Sequence, residues 1–115
     1  MATFSALGIR KEYIEALKEL GIKSPTEIQE KSIPVLLNSK TDFIGLAQTG
    51  TGKTAAFGLP ILHNINSALP YTKALILAPT RELGHQIKKK LFNLTTYTDD
   101  KINFEWVYER ENIKI

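Results

Sequence analysis

The sequence predicts an α/β domain in which a parallel sheet of three strands is preceded by two helices. Three observations carry this expectation. Short apolar runs at residues 42–47 and 74–78, and a weakly alternating run at 103–108, have the length and composition of strands. Stretches with apolar residues at helical spacing lie between them. The resulting order, two helices and then strand–helix–strand–helix–strand, is that of a parallel sheet with helical crossovers. A chain of 115 residues suits one domain. It is long enough to bury a core without staples.

Each element has a local reason. "RKEYIEALKELG" sets Ile14, Leu17 and Leu20 on one helical face with Tyr13 beside them, and Gly21 follows where a helix end favours glycine. In "SPTEIQEKSIPVLL", Ser24 is an N-cap candidate, Pro25 fits the first helical position and Glu27 completes a capping box. Pro34 lacks the donor that the ladder needs and is expected to kink or restart this helix. "DFIGLA" at 42–47 is the first strand, and "KTAAFGLPILHNI" is a helix strained or ended near Pro60. After the loop "NSALPYTK", "ALILA" at 74–78 is the second strand. "PTRELGHQIKKKLFNL" is a helix capped by Thr80, with Leu83, Ile87, Leu91 and Leu94 at spacings of four, four and three. "TYTDD" is a turn, and "NFEWVY" at 103–108 is the third strand, with Trp106 expected in the core. Neither repeats nor a domain boundary interrupt this order.

Composition removes several function classes. Hydrophobic content of 43% and charged content of 23% are those of an ordinary soluble domain. The absence of cysteine excludes disulfides and thiolate metal sites. His63 and His85 stand apart from acids and from each other, and read as surface or packing residues. No apolar run reaches the length of a membrane span, and the N-terminus lacks the pattern of a secretory signal. A cytoplasmic location is the expectation. The net charge of +3 is uneven: residues 1–98 carry +5 and residues 99–115 carry −2. A basic body is compatible with a polyanionic partner, and a solvated surface accounts for it equally.

The stretch "AQTGTGKT", residues 47–54, holds the most specific chemistry. The phosphate-loop pattern is Gly-x4-Gly-Lys-Ser/Thr; Ala47 stands in the first position, while Gly52, Lys53 and Thr54 match. Gly50 and Gly52 allow a tight turn in which successive N–H groups face phosphate oxygens. The helix starting near Lys53 aims its positive end at the same oxygens. Lys53 can reach the β- and γ-phosphates, and the Thr54 hydroxyl can ligate Mg²⁺. The nucleotide-binding set is thus Gln48, Thr49, Gly50, Thr51, Gly52, Lys53 and Thr54, with Lys53 the candidate catalytic residue. The plain alternative is a glycine-rich turn between a strand and a helix.

Three stretches together resemble one family. "AQTGTGKTAAFGLPIL" and "LILAPTREL" are similar to motifs I and Ia of the DEAD-box RNA helicases, whose loop usually begins with alanine. "GIKSPTEIQ", residues 21–29, resembles that family's Q motif, and Phe4, 17 residues before Gly21, matches its upstream aromatic. The resemblance runs from about Phe4 to Leu94. It implies an incomplete RecA-like P-loop NTPase domain over residues 1–115, with its Q-motif region at 4–29. It also implies ATP and Mg²⁺ as ligands and RNA as a partner.

The same resemblance assigns roles. Gln29, with Thr26 in the same motif, would contact adenine, because a glutamine amide pairs with the N7 acceptor and exocyclic amine of adenine and meets two acceptors on guanine. Phe4 would stack on the base. Pro79, Thr80 and Arg81 would hold the RNA backbone without reading sequence. Plainer alternatives stand beside these: a well-capped helix start, a core phenylalanine, and a helix cap followed by a solvated Arg81–Glu82 pair. Lys88, Lys89 and Lys90 read as a solvated face or as a further RNA contact.

Other parts of the family pattern have no counterpart in these residues. Asp-Glu-Ala-Asp, Ser-Ala-Thr and the second RecA-like domain with its arginine finger are not among them, and Glu109–Arg110 stands where the family tends to have two glycines. The expectation is the ATP-binding part of an RNA helicase that couples ATP to duplex unwinding, unable by itself to hydrolyse ATP. The missing second domain would lie in the same or a longer chain. The alternatives are a stand-alone, non-catalytic ATP- or RNA-binding module, a truncated gene product, or a small P-loop kinase. The Q-motif stretch argues against the last. The strand at 42–47 would also lack the neighbour that the acidic motif provides, leaving the 115 residues marginally stable or forcing the sheet to rearrange.

Overall fold

The computed structural model describes residues 3–38, 41–47, 52–65, 72–98, 102, 104 and 105. These form the helices α1 (Lys11–Glu19), α2 (Glu27–Asn38), α3 (Lys53–Asn64) and α4 (Arg81–Leu94). Helix α3 packs on both α2 and α4, and α1 packs on α4. Where they meet, Phe4, Tyr13, Leu17, Ile33, Leu59, Leu62 and Leu91 form the heart of one buried cluster. Leu17, Ile33 and Leu59 are fully enclosed, and burying each such side chain is worth about 1.5–3 kcal/mol.

Helix α1 buries Tyr13, Ala16 and Leu17. The Tyr13 hydroxyl donates to the Leu62 carbonyl at 3.3 Å, which ties α1 to α3. The Arg10 guanidinium lies 5.1 Å from the centre of the Tyr13 ring. The helix ends as glycine at 21 predicts. Gly21 takes a positive φ of 82°, its N–H bonds the Lys18 carbonyl, and the Ile22 N–H reaches back to Leu17, which is a Schellman cap. At the same end, the Tyr97 hydroxyl beyond α4 donates to the Glu19 carboxylate. That hydrogen bond holds the Tyr97 phenol above its ordinary pKa.

The start of α2 differs from the expectation. Thr26, and not Ser24, holds the capping position: its Oγ1 accepts from the Gln29 N–H at 3.4 Å, and Gln29 Oε1 accepts from the Thr26 N–H at 2.9 Å. The Glu30 N–H bonds the Thr26 carbonyl at 2.9 Å. The two candidate boxes overlap by two residues, and the second supplies both reciprocal bonds. Helix α2 is not restarted at Pro34, and α3 does not end near Pro60 but continues to Asn64. A proline inside a helix costs about 3 kcal/mol. The enclosed Ile33, Leu59 and Leu62 around these two positions offset that cost. Near the end of α3, the Nδ1 atom of His63 is buried without a hydrogen bond. Burial, then the nearby Arg10 charge, lowers the His63 pKa.

Helix α4 is capped as expected, with Thr80 Oγ1 accepting from the Leu83 N–H at 3.1 Å. Ile87, Leu91 and Leu94 face the core, whereas Leu83 is 39% exposed.

The expected three-stranded parallel sheet is not present: among the described residues there is no strand. Residues 42–47 and 74–78 follow their paths without a ladder. Ile44 and Leu46 are 88% and 91% exposed, and Leu75 and Leu77 are 80% and 85% exposed. Ile76 and Ala78 lie against the core cluster. A short apolar run signals that side chains seek cover, but a strand exists only where a neighbour takes up its N–H and C=O groups. The helices cover one side of 74–78 and supply no such partner. Of the third expected strand, Phe104 and Glu105 are described and irregular, while Trp106 and the rest lie outside the described residues. Phe104 packs edge-on against Phe92, ring centres 6.3 Å apart.

Amide hydrogen exchange on the purified chain separates these regions. Amides within α3 and α4 are expected to exchange slowly, while those of 42–47 and 74–78 exchange at close to unstructured rates. Strong protection of both segments would show that they pair in solution.

Candidate nucleotide-binding site

Residues of the stretches 21–29 and 47–54 meet at the start of α3. Gln29 is 1% exposed. Its Oε1 is engaged by the Thr26 N–H, and its Nε2 donates to the Gly52 carbonyl at 3.1 Å. The amide therefore bridges two stretches 23 residues apart in sequence. This bond was not foreseen; the Thr26-x-x-Gln29 capping pattern was its one local trace.

Gly52 precedes α3 with φ 85° and ψ 27°, in the left-handed region. A side chain here would be strained, and it would also collide: a Cβ would lie 2.3 Å from Gln29 Nε2 and 3.3 Å from Thr26 Oγ1. Glycine at 52 is thus required both by backbone conformation and by the close approach of Gln29.

The electrostatics of the helix starts differ. The first turns of α1, α2 and α4 contain Glu12, Glu27 with Glu30, and Glu82. The first turn of α3 has no acid, and no side chain caps it. The positive end of its dipole, not offset by an acid in the first turn, favours an external anion. Lys53, the first residue of α3, is exposed, and Thr54 is half-buried. This arrangement fits a phosphate group. Gln48, Thr49, Gly50 and Thr51 lie outside the described residues.

Other predicted site residues are placed differently. Phe4 is 3% exposed and packs in the core cluster, the alternative that the sequence left open. Pro79, Thr80 and Arg81 are exposed at the start of α4, and the Thr80 hydroxyl serves as the cap. A cleft of about 400 Å³ lies elsewhere, lined by Leu36, Phe57, Pro60, Ile61 and Lys73 among others. It contains none of the predicted site residues. Among the described residues, no three His, Cys, Asp or Glu side chains cluster as metal ligands would. No helix among them is long and apolar enough to cross a membrane.

A glycine-hinged turn thus opens α3, braced by a buried glutamine. Residues 26–114 match the DEAD/DEAH box helicase family, and the chain belongs to it. It is 44% identical over 111 residues to the ATP-dependent RNA helicase CshA of Limosilactobacillus reuteri, a match covering 96% of this chain and 22% of that relative. The crystal structure of a DEAD box protein from the hyperthermophile Methanococcus jannaschii matches with a TM-score of 0.86 and 31% identity, over 96% of this chain and 30% of that one. Dbp5 of S. cerevisiae bound to RNA and ADP BeF3 matches with a TM-score of 0.79 and 33% identity, over 85% of this chain and 25% of that one. The chain thus spans less than a third of the length of each.

Gly52→Ala tests the geometry of the turn. Left-handed strain of about 1–2 kcal/mol adds to displacement of the Gln29 amide. Urea denaturation is expected to register a loss of at least about 2 kcal/mol. An Ala variant as stable as the parent would show that the turn can relax.

Proposed function

We propose that this chain supplies the ATP-binding part of a DEAD-box RNA helicase, in which ATP binding and hydrolysis are coupled to unwinding of RNA duplexes. The observation that carries the reading is the meeting of Gln29 and Gly52 at the uncapped, acid-free start of α3. In this reading the backbone around Gly52 and the first turn of α3 hold the phosphates, together with Gln48, Thr49, Gly50 and Thr51. Lys53 neutralises the outer phosphates, and the Thr54 hydroxyl is the ligand for Mg²⁺. Bound Mg²⁺ would add positive charge opposite the phosphates. Thr26 and Gln29 close the site on the base side. Pro79, Thr80 and Arg81 meet the RNA backbone, and a second RecA-like domain completes the RNA clamp. Family membership and the named activity of CshA support the reading.

The bridge gives Gln29 two separable contributions. Reading adenine would favour ATP over GTP by roughly 10-fold or more, the scale of one bidentate pair. Bracing Gly52 would favour any nucleotide. Competition titrations with both nucleotides distinguish them: Gln29→Ala is expected to weaken ATP and also to collapse the ATP/GTP ratio. An equal loss for both would leave bracing alone. Lys53→Ala is expected to weaken triphosphate binding while the circular dichroism stays that of the parent. Unchanged affinity would remove Lys53 from the site.

Turnover is a separate matter. These 115 residues hold no Asp-Glu-Ala-Asp motif and no arginine finger, a group worth ~10³–10⁵ in rate on its own. Phosphate release by the purified chain is therefore expected to stay at background with and without RNA. RNA-stimulated release by a clean preparation would reveal an acidic site elsewhere in these residues.

A further inference from the structure

Helix α4 is strongly basic. Its 14 residues contain Arg81, Lys88, Lys89 and Lys90 against the single acid Glu82. Two lysines on other helices lie beside acids: Lys18 is 3.6 Å from Glu15, and Lys31 is 2.9 Å from Glu27. Among the described residues Lys88, Lys89 and Lys90 make no ion pair. The positions also fall in a pattern. Arg81, His85, Lys88 and Phe92 follow one another at spacings of four, three and four, which at about 3.6 residues per turn is one face of the helix. Lys89 lies one step round from it. This face is set apart from the core-facing Ile87, Leu91 and Leu94. At its far end the Phe92 ring is 63% exposed, held edge-on by Phe104. Among the described residues, Glu82 follows Arg81 in sequence and Glu105 follows Phe104.

We infer that this face of α4 is a track for single-stranded RNA, in which Lys88 and Lys89 hold backbone phosphates and Phe92 stacks on a base. The lysines favour anions, and the open face of the Phe92 ring offers a stacking surface at the end of the same face. Phosphates with bases attached match both in one ligand. Arg81 to Phe92 spans about 16 Å at the rise of an α-helix, so the track continues the contact at Thr80–Arg81 along the helix. The inference rests on the reading that the chain binds RNA. It extends that contact to residues outside the motif.

Fluorescence anisotropy with labelled oligo(U), read across a series of KCl concentrations, tests the track. The double variant Lys88→Gln/Lys89→Gln is expected to bind more weakly. Its plot of log affinity against log salt should flatten by about 1.4, since each single-strand phosphate contact contributes ~0.7. Phe92→Ala is expected to weaken binding roughly 10-fold with the salt slope unchanged, and Phe92→Trp to restore it. Lys89 and Phe92 are exposed and Lys88 is half-buried, and circular dichroism verifies that each variant folds. If the double variant keeps parental affinity and slope, or if Phe92→Ala has no effect, the track is overturned. Should Arg81→Gln still weaken binding in that case, the contact at the helix start stands without the track. Absence of oligo(U) binding by the parent overturns both. Displacement of oligo(U) by poly-glutamate as readily as by unlabelled RNA would reassign the face to acidic proteins.

Discussion

One buried amide holds the candidate site to the fold. Gln29 takes the Thr26 N–H on its oxygen and gives its own N–H to the Gly52 carbonyl. The first bond fixes where α2 begins; the second fixes where α3 begins. Because the amide is enclosed, neither bond can be replaced by water, and leaving either partner unpaired costs about 1–3 kcal/mol. The left-handed turn at Gly52 follows from this closeness, since the space a Cβ would take is already filled by Gln29 Nε2. The packing of α2 on α3, with Ile33 and Leu59 fully enclosed, then secures the two helix starts at one place.

The helix starts show how local sequence distributes charge. Glu12, Glu27, Glu30 and Glu82 satisfy the positive ends of α1, α2 and α4 from within the chain. Helix α3 begins instead with a glycine and a lysine. A helix built only for stability would place an acid or a capping oxygen there. Among the helices of the described residues, α3 is the one whose first turn has neither, so its positive end is not offset from within that turn.

Legibility in the sequence followed the range of the interaction. The Gly21 and Thr80 caps were readable because each is decided within one helical turn. Ile87, Leu91 and Leu94 were readable because a single period places them together, whereas Leu83, in the same period, lies at the helix end beyond its neighbours. The start of α2 was not readable: Ser24–Glu27 and Thr26–Gln29 are equally good capping boxes until Gly52 arrives to engage Gln29. That the helices continue past Pro34 and Pro60 was not readable, because the cost of a lost helical bond is local while the burial that offsets it comes from other helices. The apolar runs at 42–47 and 74–78 misled for the opposite reason. Their composition reports a tendency to be covered, and it is silent on whether a neighbouring backbone is present to pair with them. Of the candidate site, the motif residues were legible as types, and the contact that joins them was not.

The exposed rows at Ile44, Leu46, Leu75 and Leu77 shape the thermodynamics of the whole chain. Heat capacity rises on unfolding because apolar groups enter water. These four side chains are in water already, so they add almost nothing to that rise, nor to the steepness with which denaturant acts. Measured against a chain in which the same four side chains were covered, unfolding is expected to show a smaller rise in heat capacity and a shallower response to denaturant.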